Sequence, residues 1–235
     1  MNTIPIVALD VPSVDEALAL VTRLGDRCRF YKVGSELFTA AGPGVVSRVR
    51  EAGCQVFLDL KLHDIPNTVR AAARSAARLG ARLLTVHTSG GVEMVAAAVE
   101  GAGESLGILG VTVLTSFDDA SLSAATGRSG VRVTDEVARL AEVAATARAH
   151  GIVCSGAEAR AIAERFGDSL AVLVPGIRMS GGSSHDQRRV VTPSEAASAG
   201  AKYIVIGRAV TSAADPRVAM DRVLADLDTR ARSLA

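Results

Sequence analysis

The stretch VFLDLKLHDIPNT, Val56 to Thr68, is an apolar run that ends in Asp59, Lys61 and Asp64 before reaching Pro66. Val, Phe and Leu in close succession favour a buried strand. Unpaired charge is costly away from water, so the charges mark the point where the strand leaves the core. Proline fixes its backbone dihedral and has no amide hydrogen to leave unbonded, which suits the first turn of a helix. The stretch therefore reads as a strand turning into a helix through a charged corner. Side chains alternate along a strand, so Asp59 and Lys61, two apart, are expected on one face, with Asp64 in the loop beyond.

The same unit recurs along the chain. Short runs rich in Val, Ile and Leu alternate with longer Ala-rich segments of helical period, the pattern of parallel βαβ units. The runs are IPIVALD at Ile4, RFYKVG at Arg29, CQVFLDL at Cys54, RLLTVHT at Arg82, LGILGVTVL at Leu106, GIVCS at Gly151, LAVLVPG at Leu170 and KYIVIG at Lys202. Helical stretches such as VDEALALVTRLG and TDEVARLAEVAATARAHG lie between them. Eight strands with intervening helices predict a (β/α)₈ TIM barrel, with an open doubly wound sheet as the alternative. No linker or composition shift divides the chain, so one domain over residues 1–235 is expected. Ser116 to Val133 and Gly176 to Thr192 read as long βα loops at the carboxyl ends of the strands, where such barrels carry their sites.

Composition excludes several classes. The 26 basic and 25 acidic residues leave a formal charge of +1 with no basic block, so no general grip on nucleic acid or a membrane surface is indicated. Aromatic residues at 3%, with no tryptophan, argue against base-stacking platforms. Cys28, Cys54 and Cys154 lack CxxC spacing, and His63, His87, His150 and His185 show no ligand spacing, so neither a disulfide framework nor a metal site is expected. The opening MNTIPIVALD has no basic region followed by a long apolar one, which predicts an untargeted cytoplasmic protein.

The charges gather in two places. Asp10 ends the first strand and Lys32 the second, on the same rim as Asp59 and Lys61. Such alternation can be a structural ion-pair network, but four charged strand ends together point to a site that holds a carboxylate ionised and aimed at a ligand. On the other side, VPGIR ends strand seven and YIVIGR strand eight, and the loops after these two strands often form a phosphate site. Gly207 admits close approach of backbone amides, Arg178 and Arg208 supply charge, and Gln187 can close from the loop. Taken alone, IGR could be a strand end with a solvated arginine.

LDLKLHDIPNT, LTS at Leu114, VPGIR at Val174, DQRR at Asp186 and VIGR at Val205, in this order, resemble the orotidine 5'-phosphate decarboxylase family, over nearly the whole chain. DxKxxD alone is shared with sugar-phosphate decarboxylases and synthases; joined to IPNT, PGIR, the glutamine and IGR it is specific. The resemblance implies a barrel enzyme that removes carbon dioxide from orotidine 5'-monophosphate, yielding UMP in the last step of de novo pyrimidine nucleotide synthesis, with no metal or organic cofactor.

By that resemblance Asp10 and Lys32 contact the ribose, Lys32 also belongs to the charged network, Asp59 lies beside the substrate carboxyl and Lys61 protonates C6. Asp64 and Thr68 reach into the neighbouring subunit's site of a homodimer. Thr115 and Ser116 contact the pyrimidine, while Arg178, Gln187, Gly207 and Arg208 serve the phosphate and loop closure, with Pro175 of the same motif also binding substrate. Met179 and Ala209 stand where the family often has proline, and SGGSSH before Asp186 is particular to this chain. A magnesium-dependent sugar-phosphate enzyme of the same superfamily and a non-catalytic phosphate-ligand sensor are the rival readings.

Overall fold

A computed structural model describes residues 3–167, 169–179 and 191–233. Its strands are β1 (Ile4–Ala8), β2 (Phe30–Gly34), β3 (Gln55–Leu62), β4 (Leu83–His87), β5 (Gly107–Val111), β6 (Gly151–Val153), β7 (Ala171–Val174) and β8 (Tyr203–Ile206). Neighbours pair in parallel in chain order, and β1 pairs with β8 to close a barrel. The (β/α)₈ expectation holds, and the open sheet is set aside.

Parallel strands buried on both faces need apolar residues at every position, which explains the unbroken Val, Ile and Leu runs. Ile6, Phe30, Phe57, Leu83, Leu109, Leu173 and Val205 pack together inside the barrel. Their strand neighbours Val7, Tyr31, Val56, Leu58, Leu84, Val172 and Ile204 join the larger layer beneath the helices. Each such side chain contributes about 1.5–3 kcal/mol by leaving water, so the interior tolerates charge only where the strands end.

The helices begin where local chemistry allows. Ser13 accepts from the Glu16 amide at the start of the helix Val14–Leu24, whose first turn carries Asp15 and Glu16 against the helix dipole. Pro66 opens the helix Pro66–Arg78, as expected.

Two places differ from the sequence reading. The stretch Ser116–Val133 is not a plain loop: it contains the helix Asp119–Thr126. Asp118 accepts from the Ser121 amide while the Ser121 hydroxyl accepts from the Asp118 amide, and Gly127, at φ 64°, ends the helix in a left-handed turn. The second difference is in β3. Leu58 faces Leu84 and Leu62 faces Val86, so β3 advances four residues while β4 advances two. The surplus is a bulge, and Lys61 sits in it at φ 49°. Among the described residues no helix is long and apolar enough to cross a membrane.

Candidate active site

Three strand ends supply a chain of alternating charge. Register places Ala8 opposite Lys32, and Gly34 opposite Asp59, so the carboxyl ends of β1, β2 and β3 lie side by side. Lys32 Nζ donates to Asp10 Oδ1 at 2.7 Å and lies 3.7 Å from Asp59 Oδ2. Lys61 Nζ donates to the other oxygen, Asp59 Oδ1, at 2.8 Å. The order is therefore Asp10, Lys32, Asp59, Lys61. The middle of the chain is buried and its ends are open: the Asp59 side chain is 15% exposed and that of Lys61 37%, so the carboxylate is fixed in the wall while the ammonium faces the opening.

The predicted shared side of Asp59 and Lys61 is observed, for a different reason from simple alternation. The bulge turns the Lys61 backbone, and Thr85 on β4 holds the turn. The Lys61 amide donates to Thr85 Oγ1 at 2.9 Å, and that hydroxyl donates to Asp59 Oδ1 at 3.0 Å. Burial by itself raises the Asp59 carboxyl. The charges of Lys32 and Lys61, with hydrogen bonds from Lys61 and Thr85, outweigh burial and hold it below its ordinary 3.8. Beyond Lys61, burial first and then the charges of His63 and Lys61 hold His87 below its ordinary 6.5, with its ring 5.6 Å from that of His63.

These charges form one end of a cavity of about 270 Å³. Asp10, Lys32, Asp59 and Lys61 line it together with Thr115, Pro175, Arg178, Gly207 and Arg208. Apolar wall comes from Phe57, Val111, Val113, Val153, Leu173 and Val205. The far end is basic. Arg178 is buried and Arg208 exposed, and a Cβ on Gly207 would meet no protein atom within 4 Å, which leaves its backbone open to a ligand. The chain departs after Arg178 and returns at Val191 in one place: Ile177 bridges Val191, and the Arg178 amide donates to the Val191 carbonyl at 3.0 Å. Gln187 lies outside the described residues.

Three predicted residues stand apart from this cavity. Ser116 is exposed beside Thr115. Asp64 and Thr68 are exposed on the outer rim, and Asp64 Oδ1 accepts from the Ile65 amide at 2.6 Å. Asp64, Ile65 and Pro66 border a separate shallow depression with His63 and Gly90.

Two residues of the site escaped the sequence reading. Thr85, within RLLTVHT, looks like any β-branched strand residue, and only the neighbouring strand's register brings it to Asp59. Gly34 is the other. A Cβ there would fall 2.8 Å from Lys32 Nζ and 3.2 Å from Asp10 Oδ1, so glycine makes the room this ion pair occupies. The signal for it is the glycine directly after YKV at a strand end.

A closed eight-stranded barrel with an ionic cavity at the carboxyl ends of its strands is the architecture of a barrel enzyme. Residues 3–223 match the family described as orotidine 5'-phosphate decarboxylase / HUMPS, and the chain belongs to that family of enzymes. An orotidine 5'-phosphate decarboxylase of Methylorubrum extorquens is 48% identical over 95% of this chain and 94% of its own, and one of Anaeromyxobacter dehalogenans is 49% identical over 94% and 96%. Among solved structures, the orotidine 5'-phosphate decarboxylase of Lactobacillus acidophilus superposes with a TM-score of 0.84 at 35% identity, covering 97% of this chain and 99% of its own.

Proposed function

We propose that this enzyme decarboxylates orotidine 5'-monophosphate to UMP, the closing step of pyrimidine nucleotide synthesis, without metal or organic cofactor. The observation that carries the reading is the pairing of Lys61 with Asp59 at one end of a cavity whose other end is Arg178, Gly207 and Arg208. A nucleoside monophosphate has the matching polarity, with a reacting ring at one end and a dianion at the other.

The bond from C6 of the orotate ring to its carboxylate breaks so that carbon dioxide leaves and the electron pair stays on C6. That pair lies in the ring plane, where the π-system does not delocalise it. The Lys61 ammonium stabilises it electrostatically and then donates a proton to C6, and solvent returns the proton to the amine. Asp59, ionised in the wall, holds Lys61 in place and repels the departing carboxylate. Asp10 and Lys32 bind the ribose, and Thr115, Ser116 and Pro175 border the pyrimidine side. Arg178, Arg208, Gly207 and Gln187 take the phosphate, whose contacts stabilise a closed, water-excluding site.

Asp64 and Thr68 complete the partner's site in a two-fold homodimer; their exposure, and the lining of their own cavity by other residues, support this. The three cysteines are free and buried, in keeping with a reducing cytoplasm. The test is a continuous absorbance assay with orotidine 5'-monophosphate, with and without a chelator. Turnover unaffected by chelation supports the reading. Chelator-sensitive turnover favours a magnesium-dependent sugar-phosphate enzyme, and binding of UMP with no spectral change favours a sensor.

A further inference from the structure

We infer that Thr85 is a positioning residue for the reaction, acting through Lys61 and Asp59 by a hydrogen-bonded ring that fixes both. The inference rests on the decarboxylation reading and assigns Thr85 a part in it.

Lys61 occupies a left-handed backbone conformation at φ 49°, which is strained for a residue with a Cβ. Such a conformation persists where the surroundings over-determine it. Here the Thr85 side chain takes part in them, since the Lys61 amide donates to its hydroxyl. Thr85 is 0% exposed, and its strand is in unbroken register with β5 from Leu83↔Gly107 to His87↔Val111, so its hydroxyl is held by rigid backbone.

A threonine hydroxyl has one hydrogen and two lone pairs. Asp59 Oδ1, 3.0 Å away and ionised, can only accept, so the hydrogen points to it. The lone pairs are then left for the Lys61 amide at 2.9 Å. The ring closes through the Lys61 side chain, whose Nζ donates to the same Asp59 Oδ1 at 2.8 Å. One hydroxyl thus sets the backbone from which the ammonium extends and the carboxylate on which it rests. The depressed Asp59 carboxyl agrees, since the Thr85 hydrogen bond is among the interactions that lower it.

Thr85→Val keeps the shape and removes the hydroxyl. Displacing a reacting group by about 1 Å costs on the order of 10²-fold, so kcat should fall by roughly that factor. KM should change little, because the phosphate end is untouched. Thr85→Ser, which retains the hydroxyl, should restore kcat nearly to wild type. The acid limb of the pH profile of kcat/KM should move to higher pH in Thr85→Val, and the Lys61 amide, slow to exchange with deuterium in wild type and Thr85→Ser, should exchange fast.

Urea unfolding checks the fold of each variant, with Thr85→Ala as the second variant if Val does not fold. A normal kcat per folded enzyme with a lowered urea midpoint would show a merely structural role and overturn the inference, as would equal losses in Ser and Val or a fast-exchanging Lys61 amide in wild type. If wild type does not turn over orotidine 5'-monophosphate, the decarboxylation reading falls, and the amide exchange alone decides whether Thr85 fixes Lys61.

Discussion

Gly34 and Lys32 share one volume: the position a Cβ would take on Gly34 lies 2.8 Å from Lys32 Nζ. The lysine reaches between Asp10 and Asp59 through space that a side chain on its neighbour but one would enter. Gly34→Ala should therefore push the ammonium off both carboxylates while the barrel, held by its buried strands, still folds. A decrease in kcat/KM of roughly tenfold or more, about 1.4 kcal/mol, is expected, with Tm little changed. Unchanged kinetics would mean that Lys32 keeps its place by another route.

On the proposed mechanism Lys61 carries two separable burdens, chemistry and backbone strain. Lys61→Ala and Lys61→Gly should both abolish turnover, by about 10⁴-fold or more, and both should still bind a phosphate-bearing nucleotide in calorimetry. They should differ in stability. Glycine accepts φ 49° without penalty, so Lys61→Gly should be more stable than Lys61→Ala by about 1 kcal/mol in urea unfolding. Equal stabilities would indicate that the bulge relaxes when the lysine is cut back.

Arg208→Ala should separate the two ends of the cavity. For the nucleotide, kcat/KM should fall steeply; for the nucleoside lacking the phosphate, which never used that contact, it should hardly move. Added phosphite should raise wild-type activity on the nucleoside and do less for the variant. Equal losses on both substrates would remove Arg208 from the phosphate.

The depressed Asp59 carboxyl ties stability to pH. Its folded value lies below the ordinary 3.8, so the stabilisation it supplies is fully present above 3.8 and is lost as pH falls through the folded value. As pH falls below about 4, wild type should lose stability faster than Asp59→Asn, which has no proton to take up there. His87, also held low, adds a loss of the same sign that begins higher, as pH falls past 6.5, and is larger in Asp59→Asn, which lacks the carboxylate charge that opposes the shift. Parallel urea midpoints for the two proteins through the acid range would contradict the network.

The rim position of Asp64 yields a test of assembly. Refolding a Lys61 variant together with an Asp64 variant makes about half the dimers mixed. If sites are shared across a two-fold axis, each mixed dimer has one site with both defects and one with neither, so roughly a quarter of wild-type activity should return. Mixed dimers demonstrated by native mass spectrometry without activity would show that Asp64 does not cross the interface.

Legibility in the sequence followed how local each signal was. Strands announced themselves through Val- and Ile-rich runs, and helices such as Val14–Leu24 through period and caps. Asp59, Lys61, Arg178 and Arg208 were legible because each interrupts or ends an apolar run and together they gather at several strand ends, although any one of them alone could be an ion pair or a solvated charge. The helix Asp119–Thr126 was missed although Asp118 and Ser121 stand at capping-box spacing, since its short, polar, small-residue sequence resembles a loop. Thr85 and the bulge at Lys61 were illegible for a deeper reason. Each depends on which residue of the next strand stands opposite, and register is a relation between segments dozens of residues apart.

The pairing of β1 with β8 also governs when the site can exist during synthesis. Thr3 Oγ1 donates to the Ala201 carbonyl, 198 residues away, and the Ile4 amide to that of Lys202, so β1 waits a long time for its partner. Until β8 emerges, β1 and β7 are open edges, the sort of surface that recruits other chains. A nascent or truncated chain ending before Tyr203 therefore has the acid and lysine of the reacting end but lacks Arg208 and the seam that closes the barrel. Ribosome-bound chains cut short of β8 should be captured by chaperones or proteases, and extension of the chain through β8 should convert them in one cooperative step.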